Sequence, residues 1–177
     1  VMTGFGRTGK WFAMDHWEVT PDILTMAKGL TSGYVPLGAT IVRPAVADVF
    51  QERFFSHGAT YAGHALACAA ALAVIPLYEE EGLIENAADL GPYLLDRARE
   101  LQDKHPSVGD VRGVGLFVGL ELVKNRRTKE PIQPLDAKIR PGPQPKTELA
   151  KRLGELGIMV MAANPSNVIA LAPPLQV

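Results

Sequence analysis

Residues 23–43 read ILTMAKGLTSGYVPLGATIVR, and the order of residue types in this stretch decides the fold. An apolar run, Ile23 to Ala27, stops at a single lysine, Lys28. A loop punctuated by Gly29, Gly33, Pro36 and Gly38 follows, then a second apolar run with β-branched residues from Ala39 to Val42. The pattern predicts strand, loop, strand. It sets the Lys28 ammonium at the mouth of a buried strand, where partial loss of water disfavours the charged form. The neutral amine is the form that attacks carbonyls to make a Schiff base. The plain alternative is a surface lysine that ends a strand.

Working outward, the 177 residues are enough for one good core or two small ones. Apolar residues make up 47% and charged residues 21%, an ordinary globular composition, and the net charge of -1 gives no electrostatic argument for nucleic acid or an anionic membrane as partner. No apolar run is long enough to span a bilayer. The start, VMTGFGRTGK, lacks signal-peptide architecture. The single cysteine, Cys68, excludes an intrachain disulfide and suits a reducing cytoplasm, the expected location. It lies in an alanine-rich helical pattern as small filler. The four histidines have no metal-ligand spacing.

Gly4, Gly6 and Gly9 satisfy G-x-G-x-x-G, but that fingerprint needs a strand before it and a helix after it. Gly4 to Lys10 also approaches a P-loop, with Trp11 where a magnesium-binding hydroxyl should stand. A tight glycine turn accounts for both near-matches. A short helix is expected over 44–52 from Pro44, and a polar loop over 56–63. An alanine- and leucine-rich helix should start at His64 and be bent or interrupted by Pro76. Thr60 precedes this helix, where a hydroxyl and free amides suit either a phosphate or a simple N-cap.

Leu83 to Lys104 has the clearest amphipathic period. Val108 to Val123 reads as two short antiparallel strands turning at its glycines, with Asp110 and Arg112 as an exposed pair or a turn contact at a strand end rather than catalytic residues. Residues 125–144 hold basic residues and prolines without apolar period, a loop. A helix over 145–156 stops at Gly157, and strands over 158–162 and 168–171 flank a turn at Asn164-Pro165-Ser166-Asn167. This second half suggests a small α+β domain.

Five motifs carry a resemblance. They are Thr3-Gly4-Phe5-Gly6-Arg7-Thr8-Gly9; the group Pro21-Asp22-Ile23, Ala27-Lys28-Gly29-Leu30 and Pro36-Leu37-Gly38-Ala39; His57-Gly58-Ala59-Thr60-Tyr61; Gly109-Asp110-Val111-Arg112-Gly113; and Ala172-Pro173-Pro174-Leu175. In this order they resemble the class III aminotransferases, enzymes of fold type I that use pyridoxal 5'-phosphate (PLP). The resemblance implies an α/β chain: residues 1–75 as the end of a large PLP-binding domain with a mostly parallel sheet, and 76–177 as a small C-terminal α+β domain. It also implies that Lys28 carries the cofactor through a Schiff base and moves protons once freed. Thr60 would hold the PLP phosphate across a homodimer interface, with Arg7 in support of the glycine turn.

The family's acid for the pyridine nitrogen is expected upstream of Val1, so the chain is read as a piece of a longer enzyme. Met2 stands where members acting on 4-aminobutyrate or ornithine carry Gln. An apolar residue there resembles the branch that passes the amino group of taurine, β-alanine or other ω-amino compounds to pyruvate. The arginine that many members place before Ala-Pro-Pro-Leu, as a carboxylate clamp, is replaced here by Val168-Ile169-Ala170-Leu171. A PLP-dependent aminomutase, or a catalytically incomplete piece with a structural role, are the competing readings.

Overall fold

The computed structural model describes residues 1–133, 145–160 and 167–177. It is mixed α/β, and the chain forms two compact units, Val1–Ala87 with Gln176, and Ala88–Leu175 with Val177.

The first unit opens with the glycine turn. Gly4 bridges to Phe12, and between them Phe5, Gly6 and Gly9 all take positive φ (56°, 82° and 80°). A 3-10 helix, Ala13–Trp17, follows. A 3-10 helix, not an α-helix, follows the glycines, so neither nucleotide motif has its required setting. Next come β1 (Ile23–Met26), a 3-10 turn (Lys28–Thr31) and β2 (Ala39–Val42). The strands pair antiparallel from Ile23 opposite Val42 to Met26 opposite Ala39. The strand, loop, strand order is as expected, but the described residues of this chain hold no parallel strand pair of the mostly parallel sheet expected for the large domain. A parallel partner needs a crossover connection, and here a turn and a coil bring the chain straight back. Every strand pair among the described residues is antiparallel.

After β2 the expected helix over 44–52 is two single turns, α1 (Pro44–Ala47) and α2 (Val49–Glu52). Then comes α3 (Ala65–Glu80), which runs on through Pro76 instead of breaking there. Proline removes one bond, to the carbonyl four residues back, and Leu72 in that position is 73% exposed, so water can serve it. Ala67, Ala71, Val74 and Tyr78 form the buried stripe of α3, at spacings of four, three and four.

α4 spans Leu83–Lys104, as its periodicity predicts. Its outer face carries Arg97–Glu100, Asp96–Arg99 and Glu100–Lys104 pairs at 2.7, 3.1 and 3.5 Å. Each is exposed and contributes about 0.3–0.5 kcal/mol. The second unit packs Leu94, Leu95 and Ala98 of this helix on a four-stranded sheet whose core is Val108, Val111, Val118, Leu120, Leu122 and Ile169. The sheet's centre is β4 (Phe117–Asn125), which pairs with β3 (Val108–Val114), with β5 (Glu130–Pro131) and with β6 (Val168–Leu171).

The loop expected from residue 125 is therefore a hairpin as far as Pro131. Asn125 Oδ1 accepts from the Arg127 and Thr128 amides and forms the turn. The rest of that expected loop, 134–144, lies outside the described residues. α5 (Pro145–Glu155) ends as predicted at Gly157, at φ 82°. Ile158 N donates to Leu153 O and Gly157 N to Gly154 O, a Schellman closure. Residues 158–160 are not strand. Both sides of β4 are already taken, and 161–166, with most of the expected turn, lie outside the described residues.

Asn167 and Gln133 are both buried and clamp each other. The Gln133 amide donates to Asn167 Oδ1 and Asn167 Nδ2 to Gln133 O, both at 3.0 Å. Asn167→Ala strips partners from a buried N–H and a buried carbonyl. It is expected to cost about 1–3 kcal/mol in denaturant unfolding, whereas Asn125→Ala, on the surface, should cost less.

Candidate functional site

Lys28 sits in the 3-10 turn just past β1, at φ 54°. A non-glycine residue in the left-handed region carries strain of about 1–3 kcal/mol, and such residues cluster at functional sites. The turn is secured by Gly33 N to Lys28 O at 3.3 Å, Ser32 N to Gly29 O at 3.2 Å and Thr31 Oγ1 to Val35 O at 2.6 Å. Lys28 Nζ donates to Met2 Sδ at 2.9 Å, and it has no carboxylate partner among the described residues. The expected burial is not found: Lys28 is exposed, and of β1 only Met26 is buried. Among the described residues β1 and β2 pair only with each other, and that leaves the end of the hairpin at Lys28 open to water. What the turn supplies is a primary amine held in a strained backbone, beside a neutral sulfur and untied by an ion pair to any described residue.

Thr60 lies in the turn leading to α3 and is exposed. The N-cap of α3 is His64, so the cap role does not fall to Thr60. The Thr60 hydroxyl makes no hydrogen bond with any described residue, and none links it to Lys28. The helix that follows Thr60 does reach the lysine turn, through a residue for which the sequence offers no chemical motif. Tyr78 Oη donates to the Gly29 carbonyl at 2.7 Å. Its ring lies 5.8 Å from Phe5 and 5.7 Å from Trp11, centroid to centroid. Burial raises the Tyr78 pKa above its ordinary value, against smaller opposite effects from a Ser32 hydrogen bond and from Arg7. The phenol therefore stays protonated and able to donate. Burial lowers the Arg7 pKa, with nearby Tyr78 opposing the shift. The signal for Tyr78 was the 67, 71, 74, 78 stripe, which places a polar-tipped aromatic on the buried face.

Gly29 shows how tightly this part is packed. A Cβ there would stand 2.6 Å from Phe5 Cβ and 2.9 Å from its Cγ. In the second unit, Arg112 joins Asp110 and, at 2.9 Å, Glu121 on the exposed face of the sheet. The Glu121 and Asp110 hydrogen bonds raise the Arg112 pKa. This is the exposed pair expected, extended to a third charge. Among the described residues no cluster of His, Cys, Asp and Glu could hold a metal ion, and no helix is long and apolar enough to cross a membrane.

The family model described as Aminotransferase class-III matches residues 1–177. The taurine–pyruvate aminotransferase of Bilophila wadsworthia (strain 3_1_6) is 47% identical over 75% of this chain and 30% of its own length. The putrescine–pyruvate aminotransferase of Pseudomonas aeruginosa is 49% identical over 73% of this chain and 29% of its own. Among solved structures, taurine:2-oxoglutarate aminotransferase from Bifidobacterium kashiwanohense, in complex with PLP and glutamate, superposes with a TM-score of 0.89 at 37% identity. That match covers 99% of this chain and 38% of the other. The chain thus spans between 29% and 38% of the length of these relatives.

Proposed function

Since the chain belongs to the class III aminotransferases, which are PLP-dependent enzymes, we propose that it supplies the cofactor-bearing lysine of an ω-amino acid or amine transaminase. The observation that carries this reading is Lys28: an amine in a left-handed turn after β1, with no carboxylate partner among the described residues. That donor set fits PLP, whose aldehyde needs a primary amine free of ion pairs. PLP, when bound, supplies the electron sink for amino-group transfer. Lys28 Nζ attaches it, and once released holds and moves the proton that the transfer requires. Guanidinium could not take this role, because it stays protonated.

The substrates we propose are a terminal amine, such as taurine, β-alanine or putrescine, and pyruvate or another 2-oxo acid. Relatives named for taurine and putrescine with pyruvate support this, as does the apolar Met2 beside Lys28. The test uses the full chain encoded by the gene, loaded with PLP and given each amine with pyruvate. Alanine formation is expected. An amino group that moves within one substrate, with no alanine, would show an aminomutase instead.

Thr60 is proposed to donate its free hydroxyl to the cofactor phosphate of a second copy in a homodimer. Losing a hydrogen bond to a charged group costs about 1.5–3 kcal/mol, roughly ten- to a hundredfold in affinity. Thr60→Ala should weaken PLP retention by that factor in ultrafiltration. A mixed dimer of Lys28→Ala and Thr60→Ala subunits should keep wild-type retention at its one lysine site. Retention as weak as the Thr60→Ala homodimer would make Thr60 a ligand within its own subunit.

A further inference from the structure

We propose that Tyr78 is a positioning residue for Lys28, its hydroxyl tying the lysine turn to α3 through the Gly29 carbonyl. The inference rests on the reading of Lys28 as the cofactor-bearing residue. The turn's own backbone ties are long: Leu30 N to Ala27 O and Gly33 N to Lys28 O are both 3.3 Å, and Ser32 N to Gly29 O is 3.2 Å, while the short Thr31 Oγ1 to Val35 O bond, 2.6 Å, lies past Lys28 and Gly29. The Tyr78 bond, at 2.7 Å, comes from a residue 49 positions away and lands on the carbonyl of Gly29, the residue after Lys28.

The donor cannot wander. Tyr78 is 5% exposed, and its ring is packed by Phe5 and Trp11 on a sixteen-residue helix. The acceptor is confined as well, because Gly29 has no room for a Cβ against Phe5. A strained left-handed residue holds its conformation only where its surroundings over-determine it. Around Lys28 the one buried side-chain hydroxyl doing so from outside the loop, among the described residues, is that of Tyr78.

Tyr78→Phe keeps the ring and removes the hydroxyl alone. A purely structural role therefore predicts wild-type behaviour for Phe and failure only for a smaller side chain such as Tyr78→Leu. A positioning role predicts that Phe already changes the site. In the full chain without cofactor, amide hydrogen exchange at Ser32 and Gly33 should speed up about three- to tenfold, the value of one hydrogen bond. Exchange in the β3–β4 hairpin should not change. In the PLP-loaded enzyme, kcat should fall about tenfold, since small misplacements of a reacting group are costly. KM for the amine should stay within about twofold.

Unchanged exchange at Ser32 and Gly33 would overturn the tie. Faster exchange with unchanged kcat would reduce Tyr78 to a packing residue and overturn the positioning role. A general rise in exchange across the unit would do the same. Failure of the underlying reading looks different: wild-type protein with PLP would then show no near-visible absorbance that shifts on adding an amine.

Discussion

Lys28→Ala, made in the full chain encoded by the gene, is expected to lower transamination by at least about a thousandfold, the upper range for a positioned acid–base group, and to leave the fold intact. The first half follows from the amine: Lys28 carries the only Nζ on the strained turn after β1. The second follows from its setting. Lys28 is exposed and its Nζ bonds Met2 Sδ, so truncation uncovers no core. Its positive φ adds a comparison. Lys28→Gly should be more stable than Lys28→Ala by about 1 kcal/mol, because only glycine occupies the left-handed region without steric cost. Both should be equally inactive. Activity and conformational ease would then separate at one residue, as they do where backbone strain serves a site. Residual turnover within tenfold of wild type in either variant would remove Lys28 from the chemistry.

Gly29→Ala is expected to be the most damaging single-methyl change in the first unit. The new Cβ would meet Phe5 at 2.6 Å, and Phe5 has nowhere to go. It is 5% exposed, its amide donates to Trp11 O at 2.7 Å, and its ring packs on Trp11, Phe12 and Tyr78. Either the glycine turn or the lysine turn must shift. Overpacking of this kind costs about 1–3 kcal/mol, and the shift should displace Lys28 and slow turnover more than tenfold. Gly33→Ala is the matched comparison in the same loop. Gly33 has φ 79° and nothing within 4 Å of its built Cβ, so its cost is conformational, about 1 kcal/mol. Gly33→Ala as harmful to turnover as Gly29→Ala would mean that loop conformation, not the Phe5 contact, fixes the lysine.

The parts that could be read in advance were those written in local pattern. The two apolar runs around Lys28 gave β1 and β2, the period of residues 83–104 gave α4 to its ends, and Gly157 marked the close of α5. What could not be read depended on partners distant in sequence. The exposure of Lys28 turns on whether another strand covers the β1–β2 hairpin, and no pattern within 23–43 states that. The antiparallel pairing depends on the path between strands, not on their composition. Pro76 was given too much weight, because the cost of proline falls on a carbonyl that water can reach beside exposed Leu72. The helix start at His64 was legible, but the alternative of Thr60 as its N-cap was not met, because His64 itself holds that position. Tyr78 was passed over because its partner, Gly29, lies 49 residues back, although the stripe from Ala67 pointed it inward.

The central claim is that Lys28 is the residue to which the cofactor is attached, and chemical trapping tests it most directly. The full chain encoded by the gene would be loaded with PLP, reduced with borohydride, digested and mapped by mass spectrometry. The account predicts a pyridoxyl group on the peptide that contains Lys28, at about one per chain, and none on the corresponding peptide of Lys28→Ala. A pyridoxyl group on Lys10 or on Lys124, which pairs with Glu130 at 3.0 Å on the surface, with Lys28 unmodified, would contradict it.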